Sequence, residues 1–122
     1  MLRERPLVQG QVAQAAAIVN AARSYVIDSL SQPWAAARAN LSDPSKEIGD
    51  LRLAIPHAIR ESVRAVDMVF HVAGTNAIYT ANPLERQFRD IHVAVQHIAA
   101  FPKNFESAGM VLMGLRPSDP GW

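Results

Sequence analysis

Residues 82–97 read NPLERQFRDIHVAVQH, and their spacing decides the architecture. Asn82 has a side-chain oxygen suited to capping a helix. Pro83 is pre-set for a first helical position, where its missing N–H costs nothing, and Glu85 stands three residues beyond the cap. At about 100° per residue, Leu84, Phe88, Ile91, Val95 and Ile98 fall within roughly 80° of one another and form an apolar seam. The pattern predicts an amphipathic helix from Pro83 to about Ala100, before FPKN (101–104). Arg86, Asp90 and His97 gather on the opposite side, and Arg89, His92 and Gln96 form a third stripe.

The same period extends outward. Upstream, Ile48, Leu51, Ile55, Ile59, Val63, Val66, Phe70 and Ala73 mark a long helix with Pro56 inside it as a kink. In LSDPSKE (41–47) Asp43 is its expected N-cap and Pro44 its first residue; Gly74 is its expected C-cap, with GTNA (74–77) turning the chain. His57, Arg60, Arg64, Asp67 and His71 share the face opposite that seam, as solvated charges do. Further back, Val8, Val12, Ala15, Val19, Ala22, Val26 and Leu30 line a first long helix, which Pro33 is expected to end or kink near Ser31. Trp34 to Ala39 adds a short turn, and a fourth helix is expected over Phe105–Leu115. The tail RPSDPGW (116–122) reads as irregular. No segment alternates with period two, so the prediction is an all-α, antiparallel four-helix bundle.

At 122 residues the chain has room for one domain, 1–122, and one modest core. Its 49% apolar content is that of a folding chain, and a net charge of +1 supplies no field to gather phosphates, so nucleic acid is not expected as a partner. Zero cysteines exclude disulfides and thiolate chemistry. No apolar run reaches the roughly 18 residues of a membrane span. MLRERPL (1–7) has no signal-type apolar stretch, so a cytoplasmic location without a leader or membrane contact is expected.

Chemical motifs are sparse. No P-loop, G-x-G-x-x-G or nucleophile elbow occurs. His71 with Asp67, or His92 with Gln96, has helical spacing, but two ligands do not make a metal site, so none is expected. The polar residues of 82–97 are open to two readings: paired surface charges, or one wall of a site.

The run AVDMVFHVAGTNAIYTANPLERQFRDIHVAVQH (65–97) resembles the C-terminal helical domain of the acyl-CoA dehydrogenase superfamily, most specifically at PLERQFRD (83–90); AARSYV (21–26) resembles that domain's first helix. The resemblance covers nearly all of this chain but about the last third of a typical member. Dehydrogenases of the commonest kind carry a catalytic Glu in Glu-Gly-Thr shortly after the Arg-Asp pair. Here that place reads QHIAA (96–100), without a carboxylate. The chain is more similar to the flavin-dependent monooxygenase branch, the oxygenase components of two-component aromatic hydroxylases of the 4-hydroxyphenylacetate and dibenzothiophene types.

That resemblance implies a bound reduced flavin, FMN or FAD, shared with regions outside this chain. It implies His97 as the catalytic residue near flavin and substrate, where an imidazole can hydrogen-bond to activated oxygen or help deprotonate a phenol. It implies that Gly74, Thr75 and Asn76 form a turn approaching the flavin of a neighbouring subunit, although the doubled glycine of the family is replaced by AGTN (73–76). Arg89 and Asp90 match the Arg-Asp pair and are expected as an ion pair anchoring the helix to its neighbours. A homo-oligomer, dimer or tetramer, and a flavin reductase component are the implied partners. Two alternatives remain open: a noncatalytic helical oligomerisation or assembly module, and an acyl-CoA dehydrogenase-like fragment.

Overall fold

The computed structural model describes residues 1–43 and 45–119. Among these there are four α-helices and no strand: α1 (Pro6–Arg38), α2 (Ser45–Ala73), α3 (Pro83–Ala94) and α4 (Pro102–Leu112). The expected all-α bundle is borne out, with α2 at its centre and α1, α3 and α4 packed against it. The connection after Arg38 returns α2 antiparallel along α1, so Val8 and Gln11 of α1 line one groove with Met68 and Val72 of α2. Tyr25 and His57 touch edge to face midway, with ring centroids 5.9 Å apart.

The face that α1 buries overlaps the expected seam only in part: Ala15 and Ala22 are buried as expected, and Val8 and Val26 are half-buried. Its buried residues are Ala15, Ala22, Ser29 and Ala36, which recur every seven positions, while Val12, Val19 and Leu30 stay exposed. On α2 the buried residues are again small: Gly49, Ala54, Pro56 and Ala65. Small side chains let the two backbones approach closely, and the bulky members of each seam flank the contact instead of filling it. Apart from Pro56, every buried apolar side chain among the described residues is an alanine.

Pro33 does not end α1. The helix continues to Arg38 because Ser29 and Ala36, on either side of the proline, are both buried on the stripe facing α2. Packing outweighs the lost hydrogen bond. Termination comes at Asn40, whose φ of 52° is left-handed; Leu41 N–H donates to the Ala36 carbonyl at 3.1 Å, closing the helix end. Pro56 likewise lies inside an unbroken α2 and is itself fully buried.

The caps follow the sequence more closely. Asp43 accepts the Ser45 N–H at 3.0 Å, while the expected first helical residue, Pro44, lies outside the described residues. Gly74, with φ of 61°, ends α2 as expected and begins a 3₁₀ turn, Gly74–Ile78. Asn82 caps α3 by accepting the Leu84 N–H at 3.0 Å, and its amide donates to the Asn76 carbonyl at 2.9 Å. α4 covers Pro102–Leu112, three residues earlier than expected, because Phe101 is extended before Pro102 and the proline opens the helix.

Candidate functional site

α3 stops at Ala94, short of the expected Ala100. Gln96 and His97 N–H groups donate to the Val93 and Ala94 carbonyls at 3.0 Å each, tightening the last turn. His97 then turns extended, with ψ of 144°, and its Nδ1 accepts the Ala99 N–H at 3.1 Å. This side-chain cap competes with helix continuation, as short polar caps do. His97 therefore leaves the helical face it was expected to share with Arg86 and Asp90.

Its turn is held from two sides. Asn104 of α4 donates to the Ile98 and Ala99 carbonyls at 2.8 and 3.0 Å. Arg60 of α2 donates to the Ala100 carbonyl at 3.3 Å and lies over the Phe105 ring at 5.8 Å. Neither residue was singled out for this from the sequence, because each is joined to the turn only by the tertiary fold.

The held turn borders an open depression of about 420 Å³ between α2 and α3, lined by Ala58, Ile59, Ser62, Ile91, Ala94 and His97. Small side chains, Ala58, Ser62 and Ala94, make the room. Ser62 Oγ donates to the Ala58 carbonyl at 2.8 Å and is thereby occupied within its own helix. Because Nδ1 of His97 accepts a backbone N–H, the neutral ring carries its proton on Nε2. The arrangement is an apolar slot with one imidazole N–H donor at its edge.

Arg89 and Asp90 are not paired with each other. Arg89 Nε and Nη2 donate to the two carboxylate oxygens of Glu85 at 2.6 and 3.2 Å, which holds the guanidinium further toward its charged form. Asp90 lies 3.4 Å from Arg86. Both are exposed pairs one helical turn apart, so in this chain they tie α3 to itself and not to a neighbour; Glu85 serves Arg89 instead of completing the cap box.

Gly74, Thr75 and Asn76 are exposed at the far end of α2. A built Cβ at Gly74 would meet nothing within 4 Å, so the glycine answers a backbone demand and not a crowded contact inside the chain. Twelve helical residues separate Ser62 from Gly74, about 18 Å at 1.5 Å per residue. The two parts of the expected site do not come together within one chain.

An unforeseen polar link joins α2 and α3: His92 Nε2 lies 2.8 Å from Asp67 Oδ1. His57, Arg60, Arg64 and His71 stand exposed as expected, and no group of three or more His, Asp or Glu suited to a metal occurs among the described residues.

With this geometry in place, comparison with known proteins is decisive for the family. Residues 1–102 match the acyl-CoA dehydrogenase, C-terminal domain family. The chain belongs to that family. This C-terminal domain is 34% identical over 121 residues to an indole-3-acetate monooxygenase of Acinetobacter baumannii, covering 99% of the chain and 31% of that protein. It is 26% identical to a flavin-dependent monooxygenase, oxygenase subunit HsaA, of Mycobacterium tuberculosis, covering 96% of the chain and 30% of the relative. The crystal structure of 3-HSA hydroxylase from Rhodococcus sp. RHA1 superposes with a TM-score of 0.86 at 23% identity, over 94% of this chain and 30% of that one, and establishes the shared fold. The acyl-CoA dehydrogenase-type domain thus spans about a third of the length of the relatives it matches. No helix among its described residues is long and apolar enough to cross a membrane.

Proposed function

We propose that this domain is the C-terminal part of the oxygenase component of a reduced-flavin monooxygenase, incomplete on its own, acting on an aromatic substrate. The observation that carries the reading is His97. By the resemblance it stands in the stretch where a proton-abstracting dehydrogenase has its glutamate, and it borders an apolar slot with its Nδ1 accepting the Ala99 N–H. An imidazole Nε2–H is a hydrogen-bond donor, suited to a developing oxyanion or a phenolic oxygen and not to removing a carbon-bound proton. The slot's walls of Ala58, Ile59, Ile91 and Ala94 offer an open apolar face, so the residues present fit the edge of a flavin and its substrate.

A bound FMN or FAD would supply the oxygen activation when reduced; His97 would orient and hold a proton at Nε2, and the α2–α3 walls would keep the reacting region dry. Since the Gly74–Asn76 turn lies far from His97 along α2, its proposed flavin contact falls in a neighbouring subunit of a dimer or tetramer. A flavin reductase is the proposed partner, supported by the oxygenase-subunit description of HsaA. A cytoplasmic location accords with the absence of cysteine.

In a complete oxygenase carrying this domain, His97→Ala is expected to lower hydroxylation by about 10²-fold or more while the oligomer persists. Unchanged turnover would refute the catalytic role. A second reading, a noncatalytic assembly module, is favoured by the exposed apolar residues Val12, Val19, Ile27, Leu30 and Trp34 along α1. Native mass spectrometry with FMN and FAD bears on the choice: a defined oligomer that retains flavin supports the oxygenase, and one that retains none fits a fragment of it or the module.

A further inference from the structure

We propose that Asp67, Phe70, Phe88 and His92 form a clasp that sets the position of α3 on α2 and thereby the geometry of the His97 slot. Asp67 and Phe70 lie three apart on α2; Phe88 and His92 lie four apart on α3. Each pair occupies one face of its helix, and the two faces meet. The Phe70 and Phe88 rings stack with centroids 4.2 Å apart and planes 28° apart, and Phe88 lies 4.5 Å from the His92 ring. His92 Nε2 then reaches Asp67 Oδ1 at 2.8 Å. The chain of contacts starts on α2, crosses to α3 and returns to α2, closing a loop that fixes both the spacing of the helices and the rotation of α3 about its axis.

The charge of the pair is not what matters. Side-chain exposures of 41% and 42% leave His92 and Asp67 well hydrated, so as an ion pair they contribute little. Direction is what the bond adds: stacked rings alone tolerate sliding, whereas a hydrogen bond at one end of the stack does not. On α3 His92 stands between the slot residues Ile91 and Ala94, and on α2 Ser62 precedes Asp67 by five residues, about 7.5 Å, so the clasp borders the slot. A small rotation of α3 would carry Ile91 and Ala94 across Ala58 and Ser62. The Arg60 bond to the Ala100 carbonyl, longer at 3.3 Å, also ties the His97 turn to α2.

Asp67 and His92 are thus positioning residues. Their chemical consequence rests on the reading of His97 given above, but the positioning itself is open to test in the chain alone. The 122-residue chain labelled with alanine ¹³C-methyl groups and ¹⁵N would report the slot through Ala58 and Ala94, and the His97 tautomer through long-range imidazole spectra. His92→Ala is expected to shift both methyl signals and replace the single His97 tautomer with a mixture. His92→Gln, whose amide N–H can still reach Asp67, is expected to return both to the parent positions, which a mere loss of ring current would not do. Arg86→Ala, in an exposed pair on α3, is the control and should leave them unmoved. Unshifted methyl signals and an intact tautomer in His92→Ala would overturn the proposal, as would a His92→Gln variant that behaves like His92→Ala. Should His92→Ala fail to fold, Asp67→Asn, which keeps the shape and weakens the acceptor, decides the question: smaller shifts in the same direction support the clasp and none refute it. Hydroxylation that survives His97→Ala would instead sink the functional reading and leave these spectra to judge the clasp.

Discussion

His97 acquires its proposed role through a backbone bond. The Ala99 N–H on Nδ1 sets which ring nitrogen bears the proton, so a residue that accepts at the cap position without offering a ring N–H should keep the turn and lose the donor. His97→Asn is therefore expected to preserve the 3₁₀ turn, read from the Ala99 amide signal, and still lose hydroxylation in a complete enzyme. Full activity in that variant would show that Nε2 is not needed. Gly74 is a simpler case. Its φ of 61° is unfavourable for any residue with a Cβ, while the space around it is open. Gly74→Ala should cost about 1 kcal/mol in urea unfolding from backbone strain alone, and a neutral result would mean that the turn relaxes. The Arg-Asp motif shows where residue-level reading stops. The adjacency of Arg89 and Asp90 is visible in the sequence, but neighbours in a helix point about 100° apart, and each carboxylate found the arginine one turn away.

At the scale of elements, helix starts were legible and helix faces less so. Asn82, Asp43 and Gly74 act through their own backbone neighbourhood, so their roles follow from local chemistry. The buried stripe of α1 follows from the partner: against an α2 that presents Ala54 and Ala65, the contact selects alanine and serine over valine. Ala22→Leu should then overpack the α1–α2 contact and destabilise by about 1 to 3 kcal/mol, whereas a seam built on large residues would gain from it. A stable Ala22→Leu chain would refute the stripe. At the other end, Asp119 ties the segment after α4 through Lys103 at 2.5 Å and Ser107. The Lys103 bond first, and Ser107 next, hold its carboxyl below the usual carboxylate range, and the same partner raises Lys103. A carboxyl lowered by folding contributes its stabilisation above its unfolded value, near 4, and loses it as pH falls through the lowered value. The Ser107 signals should stay constant near neutral pH and move only in acid, and Asp119→Asn should abolish that transition.

For the whole molecule the decisive quantity is surface. The chain exposes 8563 Å², whereas a compact monomer of 13.3 kDa exposes roughly 6,500 Å². The excess of roughly 2,000 Å² is the area of a specific protein interface or more. Trp34, Ile27 and Leu30 on α1, and Ile98 and Phe101 beside the slot, contribute to it. We expect sedimentation velocity at micromolar concentration to find dimers or tetramers, with charged substitutions at Val19 and Leu30 shifting them toward monomer; a strictly monomeric parent chain would contradict this. The same excess explains why much of the site was illegible. His97 could be singled out by resemblance, but the slot beside it is lined by residues such as Ala58, Ser62 and Ala94 whose only distinction is what packs across from them.

The sequence by itself determined four helices, the caps at Asp43, Gly74 and Asn82, and the family, because helical period, cap chemistry and the PLERQFRD pattern are local or short-range properties. Tertiary structure alone decided where α3 ends, which stripe of α1 is buried, that Pro33 sits inside a continuous helix, and that Arg89 takes Glu85. Each of these is a competition between a local preference and a contact supplied by a distant segment, and a linear pattern holds only the first of the two terms.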